Sequence, residues 1–341
     1  MNKSIAVIGQ GFVGGSLTTV FAERGFEVYV YDITGKVATG GINTIQIQAH
    51  AGLIENYQSK LSFPNGPSGI QLRSPELMNE FVKTVEGNSD FCKVYFVCLP
   101  TPMYDDGSAD LSIIEDVLSQ LASIEGNRIA VIKSTVPPGS TEAWNSMFNS
   151  QGLSVHHSPE FLREATALDD MRNQDRIIIG GPRPQVDQVR DVFRAAFPDV
   201  PIFKTSSSNS ECIKYFINNF LALKVSFANE FHQMIEGLQS QRHLDVDYDR
   251  VIELATHDSR IGKSHLQVPG PMPADDKSGK LLRGFAGSCF VKDINATISL
   301  MKDLKIDPKV LNGAWEKNLE VRPERDWENL KGRAVSDKKR K

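Results

Sequence analysis

Short apolar runs alternate with stretches of helical spacing through the first 205 residues of the chain. The predicted strands are Ser4–Gly9, Glu27–Asp32, Lys93–Leu99, Arg128–Lys133, Leu153–His157, Arg176–Ile179 and Ile202–Thr205. The amphipathic stretches between them predict helices over Val13–Arg24, Leu111–Ser123, Thr141–Asn149 and Pro184–Ala196. This alternation is typical of an α/β fold with a doubly wound parallel sheet covered by helices. Residues 35–90 show few clear periods and are interpreted as loop with uncertain helices.

The pattern changes after Ser206–Ser208, and the rest of the chain is predicted to be mainly α-helical. Asn209–Gln239 contains no proline, and its first glycine is Gly237. This segment predicts one long, largely buried helix, because its apolar residues form a broad stripe: Ile213, Phe216, Ile217, Phe220, Leu221 and Leu223. Tyr248–Thr256 and Ile294–Leu304 predict two further helices.

The length of 341 residues fits two domains, since a domain typically has ~100 to 200 residues. We place the first domain at residues 1–205 and the second at 206–321, and we expect the charged tail, 322–341, to fray in solvent. A formal net charge of −4 gives no reason to expect nucleic acid as a partner. We expect a cytoplasmic protein, because no apolar run reaches ~18 residues and the N-terminus lacks the features of a signal peptide.

The cysteine and histidine patterns indicate neither disulfides nor a metal site. Four cysteines form no CxxC pair, which favours thiols in a reducing compartment. Cys92, Cys98 and Cys212 stand in apolar contexts and are interpreted as core residues. His156 and His157 are adjacent on a predicted strand and therefore point to opposite faces of the sheet. No metal ligand set is predicted there.

The sequence AVIGQGFVGGSL places Gly9, Gly11 and Gly14 in the GxGxxG spacing between a predicted strand and a predicted helix. In this motif the first glycine permits a tight turn, the second lets a pyrophosphate approach, and the third lets the helix pack closely on the strand. Asp32 ends the next strand, where a carboxylate accepts from ribose hydroxyls and repels a 2′-phosphate. The pattern predicts a Rossmann-like domain that binds NAD rather than NADP.

Three polar motifs follow predicted strands: VCLPTP (97–102), STVPPGS (134–140) and SPEFLREATALDD (158–170). The carboxyl ends of parallel strands are where ligands of doubly wound sheets bind. On the predicted long helix, Lys214 and Asn218 share one face, where an ammonium and an amide would stabilise an oxyanion. The alternative is a solvated or interface-facing pair, and the spacing alone favours that alternative.

The stretch GSCFVKD places Cys289 shortly before Lys292 and Asp293. A neighbouring cation makes a thiolate nucleophile more available, so this cysteine is a candidate catalytic residue. The alternative is a small core residue, which is the more common role of a single cysteine.

Together these motifs resemble the UDP-glucose/GDP-mannose dehydrogenases, which use NAD to oxidise the C6 alcohol of a nucleotide sugar to a carboxylate. The stretches that carry the resemblance occur in the family's order: GQGFVG, VCLPTP, STVPPG, PEFLRE, DRIIIGG, ECIKYFINNFLALKVSFANE, DSRIG and GSCFVKD. The resemblance implies a four-electron oxidation, with UDP-glucose expected as substrate and UDP-glucuronate as product. It also implies a homodimer joined through the helical domain.

The resemblance further implies roles for single residues. Cys289 would attack an intermediate aldehyde to form a thiohemiacetal, which is oxidised to a thioester and then hydrolysed. The other catalytic residues would be Lys214 and Asn218 for the oxyanions, and Asp293, Thr135 and Glu164 for the water. Cofactor contacts would come from Gly9, Gly11, Phe12, Val13, Gly14, Asp32, Lys36, Pro100, Thr101, Thr135, Glu164 and Lys292. Substrate contacts would come from Glu160, Phe161, Leu162, Arg163, Lys214, Asn218, Gly287 and, from a neighbouring subunit, Arg260.

The chain departs from the family pattern in three places, one of which is that residues 40–75 do not reproduce the family's usual segment after the second strand. Members of the family usually continue into a further Rossmann-like domain that binds the nucleotide, whereas this sequence ends near the end of the helical domain. The loop VPGPMPADDKSGKLLRGFAGSC is also longer than the family's loop before the cysteine. Lys277, Lys280 and Arg283 in this loop are candidates for contacts to phosphate.

Two other functions stay open from the sequence alone. A two-electron β-hydroxyacid dehydrogenase has a similar size and a similar plan, but it does not need Cys289. A non-catalytic NAD-binding scaffold would need none of the catalytic set. The sequence does not identify the sugar, because glucose, mannose, N-acetylglucosamine and N-acetylmannosamine derivatives share this chemistry.

Overall fold

The computed structural model describes residues 3–32, 75–87, 91–270 and 281–340. Lys36, Lys277 and Lys280 lie outside these ranges. The chain divides into two compact units, one formed by Met1–Pro100 with Leu111–Lys214 and the other by Thr101–Asp110 with Tyr215–Lys341.

The first unit is built on a sheet whose described strands have the order β2-β1-β3-β4-β5-β6-β7. They are β1 (Ser4–Ile8), β2 (Glu27–Tyr31), β3 (Phe91–Val97), β4 (Arg128–Ile132), β5 (Leu153–His157), β6 (Ile177–Gly180) and β7 (Ile202–Thr205), each close to a predicted strand. Neighbouring strands are parallel except β5 and β6, which pair antiparallel at His157 and Gly180. The predicted doubly wound parallel sheet is confirmed, with this pair as the antiparallel exception among the described strands. The apolar pattern does not record strand direction, because β6 is buried along its whole length and has no alternating polar face.

Described helices cover this sheet: α1 (Phe12–Glu23), α2 (Pro75–Glu86), α3 (Ser112–Ser123), α4 (Ser140–Phe148), α5 (Ala167–Arg172) and α6 (Gln185–Ala196). Two short 3-10 turns, Asn149–Gln151 and Glu164–Thr166, lie between them. Helix α2 falls within residues 35–90, which the sequence analysis interprets as loop with uncertain helices. Met78, Phe81, Val82 and Val85 are buried there at helical spacing, so the apolar period was present but short.

The core of the first unit lies in two layers, one on each face of the sheet. On one face Phe21 of α1 packs against Phe96 of β3 and Phe193 of α6, with ring centroids 5.6 and 6.0 Å apart. On the other face Tyr95 of β3 belongs to a separate cluster that includes Trp144 of α4. Tyr95 and Phe96 are adjacent, so the alternation of side chains along a strand separates the two layers.

The second unit is helical among its described residues. The long helix α7 (Ser207–Arg242) starts in the first unit and continues into the second. It is followed by α8 (Tyr248–Ala255), α9 (Cys289–Asp303), α10 (Lys309–Val321) and the 3-10 turn Asp326–Asn329. Helix α9 begins at Cys289 rather than at the predicted Ile294, and α10 was not predicted. One apolar cluster of this unit surrounds Val291 and Ile294, and another surrounds Tyr248.

The apolar stripe on α7 is not the buried face that the sequence predicted. Phe216 is 71% exposed and Phe220 is 52% exposed, and their rings stack at 6.1 Å. The buried face of α7 instead carries smaller and more polar residues: Tyr215, Asn218, Asn219, Ala222 and Ser226. The prediction of a core position is also wrong for Cys212, which is exposed on the same helix.

The charged tail folds onto the second unit instead of fraying. Trp327 is 2% exposed and packs on Trp315 at a ring distance of 5.4 Å. Met103 donates its N–H to the Ala334 carbonyl at 2.9 Å and accepts from the Ser336 N–H at 2.8 Å. The segment therefore adds backbone pairing to the loop that contains Met103.

Among the helices of the described ranges, none is both long and apolar enough to cross a bilayer. The same ranges contain no cluster of three histidine, cysteine or acidic side chains arranged to hold a metal ion.

Strand β5 carries two fully buried histidines. The His156 Nε2 lies 3.0 Å from the Ser154 hydroxyl, and the His157 Nδ1 lies 2.9 Å from the Ser210 hydroxyl. Burial lowers the pKa of His156 to about 4, and burial with the nearby Lys133 cation lowers the pKa of His157 to about 3. Both imidazoles are therefore neutral at neutral pH.

Acidification is expected to destabilise the protein through these two histidines. Below the ordinary histidine pKa of 6.5 the unfolded chain binds protons that the folded chain does not, so the free energy of unfolding falls as the pH decreases. Between pH 7 and pH 5 the loss is about 2 kcal/mol for each histidine. Urea unfolding followed by circular dichroism at both pH values measures it.

Two variants isolate the histidine contribution. His156→Leu should reduce the pH-dependent loss by about 2 kcal/mol, whatever its effect at pH 7. His257→Asn changes an exposed histidine and should leave the loss unchanged. If His156→Leu and the unmodified chain lose the same free energy of unfolding between pH 7 and pH 5, the loss does not come from His156.

Candidate functional site

A tight glycine turn joins β1 to α1. Gly9 has a φ of +92°, and its N–H donates to the Tyr31 carbonyl at 2.8 Å. A Cβ at Gly14 would lie 1.9 Å from the Gly9 carbonyl oxygen, so a side chain cannot be accommodated there. A Cβ at Gly11 would meet no atom within 4 Å. The turn is therefore close-packed at Gly9 and Gly14 but open at Gly11, as a pyrophosphate at the N-terminus of α1 requires.

Asp32 follows β2 and is tied to the same turn. Its Oδ2 accepts from the Gln10 N–H at 2.7 Å. The Gln10 side chain is buried and donates to the Thr18 hydroxyl at 2.9 Å. The sequence did not single out Gln10, because the GxGxxG pattern accepts any residue at that position. Phe12 and Val13 open α1 and are half-buried beside this turn.

The loops after β3 and β4 are joined by Ser134. Its hydroxyl donates to the Leu99 carbonyl at 2.6 Å and accepts from the Leu99 N–H at 3.1 Å. Thr135 comes next and is buried, whereas Pro100 in the neighbouring loop is exposed. Pro100 and Thr135 thus follow adjacent parallel strands at their carboxyl ends. Thr101 is buried and belongs to the second unit.

Lys214 is a buried cation held by Glu160. The ammonium is 2.6 Å from the Glu160 carbonyl oxygen and 3.0 Å from its Oε1. The other carboxylate oxygen of Glu160 accepts from the Leu162 N–H at 2.6 Å. Lys214 and Asn218 are 4% and 5% exposed, so the solvated alternative for this pair is wrong. A buried ammonium is tolerated because a carboxylate and a carbonyl accept its hydrogen bonds.

The remaining predicted substrate residues of this loop have distinct surroundings. The Phe161 ring lies 5.6 Å from the Lys214 ammonium and 4.3 Å from the Arg176 guanidinium. Arg163 pairs with Asp170 at 2.6 Å, and its side chain is 74% exposed. Glu164 begins the 3-10 turn that follows and is exposed. The Phe161 ring therefore contacts two cations, and Arg163 is engaged within the loop itself.

In the second unit, Cys289 is the first residue of α9 and is half-buried. Ser288 occupies the N-cap position, and its hydroxyl lies 3.9 Å from the Cys289 sulfur. A helix N-terminus carries partial positive charge, which favours a thiolate over a thiol. The sequence analysis predicted that this helix begins at Ile294, so it did not place Cys289 at a helix N-terminus. A serine followed by the apolar residues Phe290 and Val291 is a pattern that indicates the start of a helix and could have corrected this prediction.

Asp293 lies one turn after Cys289 and is 1% exposed. Its Oδ2 accepts from the Asn218 amide at 2.5 Å, and its Oδ1 accepts from the Lys292 ammonium at 2.6 Å. Spacings of three and four residues place Lys292 and Asp293 on the face of α9 that begins at Cys289. This arrangement places, one helical turn after a half-buried thiol, a carboxylate whose orientation is set by two donors.

Three other residues of the second unit were named from the sequence. Gly287 has a φ of +72°, a conformation that favours glycine. Arg260 is 87% exposed and pairs with Asp258. Arg283 was a candidate for a contact to phosphate. Its guanidinium pairs with the Glu236 carboxylate at 2.6 Å.

Comparison with known proteins identifies both parts of the chain. Residues 3–196 match the NAD binding domain of the UDP-glucose/GDP-mannose dehydrogenase family, and residues 208–320 match its central domain. The chain belongs to this family. NAD is therefore the cofactor of the first unit, and the open turn at Gly11 with the adjacent Asp32 carboxylate fits it.

Several members of the family are similar along most of the chain. The chain is 32% identical to UDP-glucose 6-dehydrogenase AglM of Haloferax volcanii, over 98% of this chain and 74% of that protein. It is 31% identical to UDP-glucose 6-dehydrogenase TuaD of Bacillus subtilis, over 93% of this chain and 63% of that protein. A solved UDP-glucose dehydrogenase from Pyrobaculum islandicum superposes with a TM-score of 0.66 at 28% identity, covering 94% of this chain and 68% of that one.

Two glycine substitutions should separate cofactor contact from folding. Gly11→Ala adds a methyl group that meets no protein atom within 4 Å, so thermal stability should be retained while NAD binding weakens at least tenfold. Gly14→Ala places a Cβ 1.9 Å from the Gly9 carbonyl and should cost about 2 kcal/mol of stability or more. Thermal unfolding and calorimetric titration with NAD measure both effects. Wild-type NAD affinity in Gly11→Ala would argue against a pyrophosphate at this position.

Proposed function

We propose that the protein catalyses the NAD-dependent, four-electron oxidation of the C6 alcohol of a nucleotide sugar to the carboxylate, with UDP-glucose as substrate. The observation that carries the proposal is the placement of Cys289 at the start of α9, with Asp293 held by Asn218 and Lys292 on the same helix face. The names of the relatives AglM and TuaD support the choice of substrate.

The chemistry assigned to Cys289 runs in two oxidations. NAD, when bound, supplies the hydride acceptor for each of them. The first oxidation removes a hydride and the hydroxyl proton from the C6 alcohol and leaves an aldehyde. The Cys289 thiolate adds to the aldehyde carbon, and protonation of the oxygen gives a thiohemiacetal. The second oxidation gives a thioester, and attack by water breaks the C–S bond to release the carboxylate and the thiolate.

Other residues of the two units are assigned to charge and water. Lys214 and Asn218 stabilise the oxygen that becomes negative when the thiolate adds to the aldehyde, since a buried ammonium acts strongly on a nearby oxyanion. Asp293, fixed by two donors, orients the hydrolytic water and takes its proton. Thr135 and Glu164 assist the same water from the loops after β4 and β5.

The alternative functions differ in their need for the thiol. A two-electron β-hydroxyacid dehydrogenase transfers one hydride per substrate and does not use Cys289. A non-catalytic NAD-binding scaffold would keep the glycine turn without needing Cys289, Asn218 or Asp293. The buried polar network around Asp293 supports the dehydrogenase over the scaffold, because it holds a carboxylate in a fixed orientation on the helix that begins at Cys289.

The first test is the number of NADH molecules formed from each molecule of limiting UDP-glucose. The proposal expects two NADH, and Cys289→Ala should lower turnover at least a thousandfold because the covalent intermediate is lost. Cys212→Ala is the matched control, since it removes an exposed thiol and should keep full activity. One NADH per substrate, with full activity in Cys289→Ala, would favour the two-electron alternative.

We also propose that the active form is a homodimer in which Arg260 serves the substrate of the neighbouring subunit. The exposed aromatic pair Phe216 and Phe220 on α7 gives an apolar surface suited to a second copy of the chain. The Arg260 side chain is 87% exposed, which leaves its guanidinium accessible to a partner.

Mixed dimers provide the test of this arrangement. Arg260→Ala and Cys289→Ala should each be nearly inactive alone, but co-expression should restore up to about a quarter of wild-type activity through random pairing. In each mixed dimer one site combines an intact cysteine with the partner's intact arginine. Co-expressed Arg260→Ala and Arg260→Lys chains form the control. Absence of any restored activity in a confirmed mixed dimer would place Arg260 in its own subunit's site.

A further inference from the structure

Lys133 is a buried cation to which the proposed reaction assigns no role. It follows β4 directly, and its N–H donates to the Val97 carbonyl at 2.9 Å. The residue is 5% exposed. Its ammonium donates to the Pro159 carbonyl at 3.1 Å and lies 3.3 Å from the Ser158 hydroxyl and 5.5 Å from the centre of the Phe193 ring.

The partners of Lys133 immediately precede the residue that holds Lys214. Lys133 binds the Pro159 carbonyl, and Lys214 binds the next carbonyl, that of Glu160, at 2.6 Å. Two buried ammonium groups therefore hold consecutive carbonyls of the segment after β5. The Glu160 carboxylate adds bonds to the Lys214 ammonium and the Leu162 N–H. The backbone at Pro159 and Glu160 is therefore bonded to both lysines.

The charges around Lys133 are unevenly matched. Burial raises the pKa of the Cys98 thiol to about 12, and burial lowers the pKa of His157 to about 3, so both are neutral at pH 7. Glu160 is the carboxylate that faces both Lys133 and Lys214. Burial lowers the pKa of Lys133 to about 8, while the Glu160 carboxylate raises it and the Lys214 cation lowers it further. The cluster thus loses positive charge as the pH rises through about 8.

We propose that Lys133 is a positioning residue for substrate binding, which holds the Pro159 carbonyl so that Glu160 and Lys214 keep the arrangement that receives the nucleotide sugar. The predicted effect of Lys133 on substrate binding rests on the proposed function. The predicted ordering of residues 158–162 rests only on the hydrogen bonds of Lys133 and does not depend on that function. A methionine at position 133 would keep most of the volume of the lysine side chain and remove its hydrogen bonds and charge.

Lys133→Met should raise the KM for UDP-glucose at least tenfold while changing the dissociation constant of NAD less than twofold. The unmodified enzyme should lose kcat/KM for UDP-glucose above about pH 8, and this alkaline limb should be absent from Lys133→Met. Lys83→Met, which changes an exposed lysine of α2, is the matched control and should alter neither quantity. A wild-type KM in Lys133→Met, or an unchanged alkaline limb, would overturn the inference.

Hydrogen exchange tests the same inference without any need for activity. Backbone amides of residues 158–163 should exchange at least tenfold faster in Lys133→Met, whereas peptides from α1 should exchange at the wild-type rate. Ser158→Ala removes one partner of Lys133 and should speed the same amides by a smaller factor, and it decides the matter if Lys133→Met does not fold. Unchanged exchange in the segment, or a uniform increase along the chain, would contradict a positioning role. If the wild-type protein oxidises neither UDP-glucose nor other nucleotide sugars, the proposed function fails. The exchange result still decides whether Lys133 orders residues 158–163.

Discussion

The buried ammonium of Lys214 is the constraint on which the candidate site depends. At 4% exposure it needs strong acceptors, and the carbonyl and carboxylate of Glu160 supply them. One turn earlier on α7, the Glu211 carboxylate accepts from the N–H groups of Gly139 and Thr141 at 2.6 and 2.8 Å. The first turns of α7 thereby fasten the loop after β5 and the start of α4. A single helix determines where both strand-end loops lie.

The same principle organises the cysteine end of the second unit. Asp293 is 1% exposed and is held by an amide from α7 and an ammonium from its own helix. Buried ion pairs of this kind contribute little net stability, because desolvation offsets most of the attraction. Their effect is to allow one arrangement of the groups, since any other leaves a buried charge without a partner. This is the property that the proposed reaction through a covalent intermediate requires, because the proposed nucleophile and base must keep their geometry through several steps.

Sequence patterns predicted the local elements well and their burial less well. The strands and the glycine turn followed from apolar runs and GxGxxG spacing, which depend on residues a few positions apart. The exposed Phe216 and Phe220 did not follow, because a helix with aromatic residues on one side and small polar residues on the other has two faces that can be buried. The direction of β6 was also missed, since a strand buried along its whole length looks the same in either direction. The early start of α9 was missed because the predicted helix began at Ile294, and Phe290 and Val291 were not counted in its apolar period.

The sequence by itself determined the strands of the first unit and the glycine turn of the NAD site. These features are local, so spacing and residue type reveal them. The set of side chains proposed to carry out an oxidation through a thiol came from the resemblance to the family, because spacing alone favoured other roles for Lys214, Asn218 and Cys289. Only the tertiary structure decided that Lys214 is paired with Glu160, 54 residues away, and that Asn218 holds Asp293, 75 residues away. It also decided that Lys133 binds the backbone before Glu160. Such partners are brought together by the packing of the sheet and of α7, and a lysine in the sequence carries no record of which distant carbonyl will accept its hydrogen bond.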